Sequence, residues 1–107
     1  MIEIQLTPQA ITDLQEIRTY ITDKLANSQA AERTVANIFK RIDSLAELPE
    51  IGVPLSSIVD IKTNYRFLVC GNYRIFYQFK DNVVYVLHVL YGRRDFMQIL
   101  FGEYESN

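Results

Sequence analysis

Three apolar runs crowded into residues 65–91 constrain this chain more than any other feature. They are Tyr65 to Cys70, Tyr73 to Phe79 and Val83 to Tyr91, and only Gly71-Asn72 and Lys80-Asp81-Asn82 separate them. Aromatic and β-branched residues suit a pleated surface, and connections this short allow only antiparallel hairpins. A three-stranded meander follows, and it needs a cover for at least one face.

The upstream sequence supplies that cover. IEIQL alternates and reads as a short first strand, stopped by Thr7 and Pro8, which suit the N-cap and first position of a helix. Ile11, Leu14, Ile17, Ile21 and Leu25 then recur at three- and four-residue steps, one apolar stripe. Asn27 and Ser28 break and re-cap the chain. A second helix carries Val35, Ile38, Phe39, Ile42 and Leu45 and stops before Pro49 and Gly52. The expected fold is α+β, in the order β-α-α-β-β-β: an N-terminal strand, an αα-hairpin and the meander, with both helices on one face of the sheet. Phe96, Ile99 and Leu100 make a short final helix or strand, and EYESN reads as a loose tail. A chain of 107 residues has room for one core, so residues 1–107 are expected to form a single domain.

Register decides what the sheet can do. With Gly71-Asn72 alone as the loop, Arg74 would share a face with Phe67 and Phe76, and Arg66 would lie with Ile75 and Tyr77. Each apolar layer would then hold an unpaired cation, which costs several kcal/mol. A three-residue loop of Cys70, Gly71 and Asn72 pairs Val69 with Tyr73 and sorts the faces instead. Phe67, Ile75 and Tyr77 then turn to the helices, while Arg66, Arg74 and Gln78 lie on an open face. Carried on through Phe79 opposite Val83, this register sets Arg74 opposite His88. Arg93 and Arg94 just beyond the third run become the rim of a cationic patch floored by Arg66, Arg74 and His88.

The charge distribution is consistent with such a patch. Net charge is −2, yet residues 1–61 hold five Lys/Arg against nine Asp/Glu, whereas Lys62 to Arg94 hold six basic residues against Asp81 alone. A basic face on an acidic body is a footprint for phosphate or an acidic partner. Arginines at a helix start oppose the helix dipole, so Arg93 and Arg94 are better explained by an external anion. Plainer readings stand beside these: His88 as a hydrogen-bonded structural residue, Tyr91 as packing, Arg74 paired with Asp95, and Asp13, Glu16, Asp23 and Glu32 as solvated surface. Cys70 is the sole cysteine and His88 the sole histidine, which leaves no disulfide and no Cys- or His-rich metal site. No run of about 18 apolar residues occurs, and MIEIQLTP is unlike a signal peptide, so no membrane association and a cytoplasmic location are expected.

The stretches "LAELPEIG", "YRFLVCGNYRIFYQF" and "VLYGRRDF", in this strand and helix order, resemble the RelE/ParE toxins of bacterial type II toxin–antitoxin systems. The resemblance implies a growth-arresting protein neutralised by a cognate antitoxin, through either of two mechanisms on one fold. RelE-like members cut mRNA on the ribosome, activating a ribose 2′-hydroxyl. ParE-like members bind DNA gyrase and carry no known hydrolytic chemistry. By resemblance, Arg74 holds the scissile phosphate, Arg94 stabilises charge in the transition state, and Arg66 and Arg93 are further substrate contacts. His88 or Tyr91 would shuttle the proton, with no metal or cofactor. Leu68 stands where RelE-like enzymes carry a second lysine, and Leu100 where they carry a tyrosine. The primary expectation is a metal-independent mRNA endoribonuclease acting with the ribosome; the alternative is a non-enzymatic gyrase inhibitor. Oligomeric state is not legible.

Overall fold

The computed structural model describes residues 2–92 and 94–102. Arg93 and the tail EYESN therefore lie outside the described residues. Elements follow in the order β1 (Glu3–Leu6), α1 (Pro8–Lys24), α2 (Ser28–Asp43), β2 (Val53–Pro54), β3 (Tyr65–Cys70), β4 (Tyr73–Lys80), β5 (Val83–Tyr91) and α3 (Phe96–Phe101). One five-stranded sheet runs β1-β5-β4-β3-β2, with β1 parallel to β5 and the other neighbours antiparallel. The α+β order, the helical hairpin and the short final helix are as expected, and β2 is an added edge strand. No helix among the described residues is long and apolar enough to cross a membrane.

Local chemistry sets the helix starts. The Thr7 hydroxyl accepts from the Ala10 N–H at 3.1 Å, with Pro8 at the first helical position. The Asn27 side chain does the same for Ala30 at 2.9 Å. Each satisfies a donor that the first turn leaves orphaned. The buried stripe of α1 is Ala10, Leu14, Ile17 and Ile21, while Ile11 and Leu25 are exposed. In α2 it is Ala31, Val35, Ile38 and Ile42, with Phe39 exposed. Both stripes begin at a fully buried alanine, Ala10 and Ala31, which hydropathy alone undervalues.

The three-residue loop is wrong. Cys70 pairs with Tyr73, so the loop is Gly71-Asn72 alone, and Val69 faces Arg74 rather than Tyr73. A positive φ of 60° at Gly71 but not at Asn72 fits the II′ pattern of a tight hairpin. The next loop is also two residues: Lys80 pairs with Val83, and Asp81 and Asn82 both take positive φ, as a I′ turn needs. Arg66 and Arg74 thus lie on opposite faces, and Phe67 turns away from the helices.

The cations avoid the penalty in different ways. Arg66 Nη1 donates to the carbonyls of Glu50 (3.1 Å) and Gly52 (2.8 Å) at the edge of the sheet. Arg74 holds its guanidinium over the rings of Phe67 (5.4 Å) and Phe96 (5.8 Å). A long amphipathic side chain can cover an apolar layer with its stem and still keep its charge solvated or over a π-face.

The sheet therefore has two apolar sides. Leu68, Ile75, Tyr77, Val84, Val86 and Val89 pack on the helices. Leu55, Phe67, Phe76 and Leu90 form a smaller cluster covered by Val59, Tyr65 and the apolar side chains of α3. The second face, expected to be open, carries α3 packed over its apolar cluster.

Candidate functional site: the arginine ledge at the end of β5

A bulge moves the one histidine away from the arginines. Tyr77 pairs with Val86 and Phe76 with His88, which leaves Leu87 as an inserted residue in β5. Arg74 consequently faces Leu90, not His88. β1 ends at Leu6, so the edge of β5 beyond Val86 has no strand beside it and the start of α1 serves instead. The Thr7 N–H donates to the Val86 carbonyl at 3.0 Å and its hydroxyl to that of Leu87 at 2.9 Å. Asp13 Oδ2 accepts from the Val89 N–H at 2.8 Å and meets His88 Nδ1 at 2.7 Å. The His88 and Asp13 side chains are only 17% and 13% exposed. Asp13 is thus a strut between helix and sheet, not solvated surface, and His88 is engaged by it.

Arg74, Arg94 and Tyr91 do come together, at the far end of the same strand. A small cavity of about 230 Å³ is lined by Arg74, Val69, Asn72, Tyr73, Tyr91 and Gly92. A larger groove of about 770 Å³ runs between α1 and the sheet, past Asp13, Glu16, Tyr20, Tyr73, Tyr91 and Arg94. Asn72, Tyr73 and Tyr91 line both, so they form a ledge with one arginine on each side. The turn is fixed by the Gly92 N–H on the Asn72 carbonyl (2.8 Å) and the Arg94 N–H on that of Tyr91 (2.9 Å). Tyr73 and Tyr91 meet edge to face, centroids 5.9 Å apart, and Tyr91 is 44% exposed.

Asp95 is not an ion-pair partner of Arg74 among the described residues; its carboxylate accepts from the Gln98 N–H at the start of α3. Arg66 lies with the Glu50–Gly52 loop, remote from the ledge in the sheet. Of the expected residues, then, Arg74, Arg94 and Tyr91 assemble, and Arg66 and His88 do not. Sequence reasoning missed Tyr73 and Asn72. Their signal was the hairpin loop itself, which brings the start of β4 beside the end of β5.

At the ledge, Tyr73 is held as a hydrogen-bond donor. Burial, with the neighbouring phenols of Tyr91 and Tyr20, holds Tyr73 above the ordinary tyrosine range. A neutral phenol at pH 7 donates a hydrogen bond and is a poor proton acceptor. Burial likewise raises the Cys70 thiol, and the Arg41 charge offsets only part of it. We expect alkylation of Cys70 by iodoacetamide to be slower at pH 8 than that of an unfolded peptide thiol; an equal or faster rate would contradict the burial argument.

Comparisons with known proteins agree with this architecture. A family model described as the ParE toxin of the type II toxin–antitoxin system parDE matches residues 4–96. A chain of the chromosomal ParDE toxin–antitoxin system of P. aeruginosa superposes with a TM-score of 0.72 at 19% identity, covering 85% of this chain and 96% of that one. A chain of the YoeB-YefM toxin–antitoxin heterotetramer from Staphylococcus aureus gives 0.52 at 19% identity, over 85% and 97%. YafQ from E. coli strain BL21(DE3) gives 0.50 at 16% identity, over 95% and 100%. None of the curated protein sequences matches significantly. With a matched segment that runs from β1 to the first residue of α3, the chain belongs to the ParE toxin family of type II toxin–antitoxin systems.

Proposed function

We propose that this toxin arrests growth by docking on DNA gyrase rather than by cutting mRNA, which reverses the order expected from sequence. The observation that carries the reading is the 2.7 Å contact of His88 with Asp13. Cleavage needs a proton carrier within reach of the phosphate-binding arginine, and the histidine is held elsewhere. Tyr73 stays protonated beside the ledge, Leu68 is in the core, and Leu100 packs in the apolar cluster under α3. Tyr91 is the remaining candidate beside the arginines. A cationic, aromatic ledge with few acid–base groups suits recognition, in which Arg and Tyr often dominate affinity. Membership of the ParE family supports the same branch. The neutralising partner is a cognate antitoxin, and the site of action is the cytoplasm.

Expression without antitoxin is expected to stop colony formation, and co-expression with it to restore growth. During arrest, primer extension should find transcripts intact, and purified toxin should stall supercoiling of relaxed plasmid by purified gyrase. Codon-phased cuts in mRNA alongside unimpaired supercoiling would overturn the reading in favour of the ribosome-dependent endoribonuclease.

A further inference from the structure

We infer that the groove between α1 and the end of β5 is the seat of one amphipathic α-helix of the cognate antitoxin, and that this helix covers Tyr91 and Arg94 and so shuts the ledge to gyrase. The second half rests on the docking reading; the first does not. Buried Ile17, Ile21 and Val89 line the groove, whereas Tyr20 (55% exposed), Leu25 (59%) and Tyr91 (44%) stand around it in water. Singly exposed apolar side chains are ordinary, but three around one concave apolar lining mark a surface that a partner covers.

Size and edge chemistry choose between a helix and a strand. The α1 residues that line the groove run from Asp13 to Leu25, about 18 Å at about 1.5 Å per residue. Spread over that length, about 770 Å³ leaves a mean cross-section of about 40 Å², roughly half or less of what the body of a helix about 10–12 Å across fills. The space therefore takes either an extended strand or one row of side chains from a helix lying over it. A strand would bond the edge of β5, and that edge is occupied. The Val86 and Leu87 carbonyls already accept from Thr7, the Val89 N–H donates to Asp13, and the Tyr91 carbonyl accepts from the Arg94 N–H. A regular ladder needs those groups free. A helix asks nothing of the edge, and its side chains at i, i+4, i+7 and i+11 span about 17 Å, the length of the groove.

The rim fixes the chemistry of the helix. Glu16 stands on the α1 wall and Arg94 beyond the strand end, both exposed and neither in an ion pair with a described residue. Asp13 is already engaged by His88 and Val89. The helix thus carries a base on one flank and an acid on the other, which orient it more than they tighten it. In a toxin–antitoxin system the partner present before arrest is the antitoxin, so it is the one that keeps these apolar side chains from water. Asn72, Tyr73 and Tyr91 belong to both groove and ledge, so a helix in the groove and a target on the ledge exclude each other.

The test is calorimetric titration of the purified cognate antitoxin into the full chain. Leu25→Gln and Tyr20→Ala should each weaken binding about tenfold or more. Both alter side chains that are more than half exposed, so the fold stays intact. Phe39→Ala, at an exposed apolar residue of α2 outside the groove, should change the affinity by no more than about twofold. Groove variants that bind as tightly as the parent overturn the site, and so does an equal loss in Phe39→Ala. In the complex, Cα chemical shifts of isotope-labelled antitoxin should be helical over the roughly 12 residues whose signals the Leu25→Gln and Tyr20→Ala changes perturb; extended shifts there overturn the helix in favour of a strand. Free Leu25→Gln toxin should stall gyrase as the parent does, and rescue of supercoiling should need about tenfold more antitoxin, matching the loss of affinity. Gyrase stalled while the groove variants keep full antitoxin affinity removes this site and leaves the docking reading. Lost antitoxin affinity with gyrase unimpaired by free toxin does the reverse.

Discussion

Gly52→Ala is expected to destabilise the protein by about 2–5 kcal/mol, a large share of the roughly 5–15 kcal/mol that holds a typical domain together. The Gly52 N–H donates to the Tyr77 hydroxyl at 2.9 Å, and Tyr77 is fully buried among the helix-facing side chains. A methyl group at Gly52 would meet that hydroxyl at 2.6 Å, the ring carbon Cε1 at 2.7 Å and the Phe67 carbonyl at 2.9 Å. Two of these atoms belong to a ring wedged in the core and the third to the backbone of β3, so none can swing aside. The loop must move, and the hydrogen bond goes with it. Arg66 donates to the carbonyls of Glu50 and Gly52, so the same movement unseats a cation that has no other anchor among the described residues. Thermal unfolding followed by circular dichroism should show Tm lower by about 10 °C or more; a change of only a degree or two would mean that the loop yields freely. Tyr77→Phe removes the hydroxyl without the clash and should cost less, about 1–3 kcal/mol for the orphaned Gly52 N–H. In the parent chain, burial holds the Tyr77 phenol above its ordinary range. The unfolded chain thus loses that proton first, and stability should fall as pH rises through about 10.

The same node shows why the sequence misleads about register. Caps, strand runs and loops are written in local chemistry, and Thr7, Pro8, Asn27 and the three apolar runs each appear where that chemistry puts them. Register is a contest between alternatives, and in the sequence alone the cost of a cation in each apolar layer decides it. That cost vanishes once Glu50 and Gly52 offer carbonyls to Arg66 and once α3 brings Phe96 under Arg74. Both partners lie far from the hairpin in the chain or beyond it. Arg74, Tyr91 and Arg94 lie near one another for a simple reason. Arg94 and Tyr91 are placed by the end of β5 whatever the register, whereas His88 depends on counting across a bulge at Leu87 that no residue type announces. Asp13 is illegible for a related reason. Its neighbours on the helix look like a solvated face, and only the early end of β1 exposes the β5 edge that it serves.

Asp13→Ala is the other substitution with a large expected effect, about 2–5 kcal/mol, and it also separates two roles for His88. One carboxylate oxygen accepts from the Val89 N–H and meets His88 Nδ1, in a spot where both side chains are mostly covered. Its removal orphans a backbone donor and strands an imidazole, and a lost buried partner costs more than the contact itself was worth. Asp13→Asn keeps an acceptor for Val89 and should recover part of the loss. His88→Gln retains an amide that can donate to Asp13, so its stability should lie within about 1–2 kcal/mol of the parent. If His88 is a strut, growth arrest by His88→Gln should match the parent once soluble protein is matched, and Asp13→Ala should lose toxicity only as far as it unfolds. A proton carrier would behave otherwise: His88→Gln would fold normally yet lose toxicity by a factor of about 100 or more, the usual contribution of general acid–base catalysis. Such a stable, non-toxic variant would restore the mRNA-cleaving reading, because docking on gyrase gives the chain no use for a histidine that moves a proton.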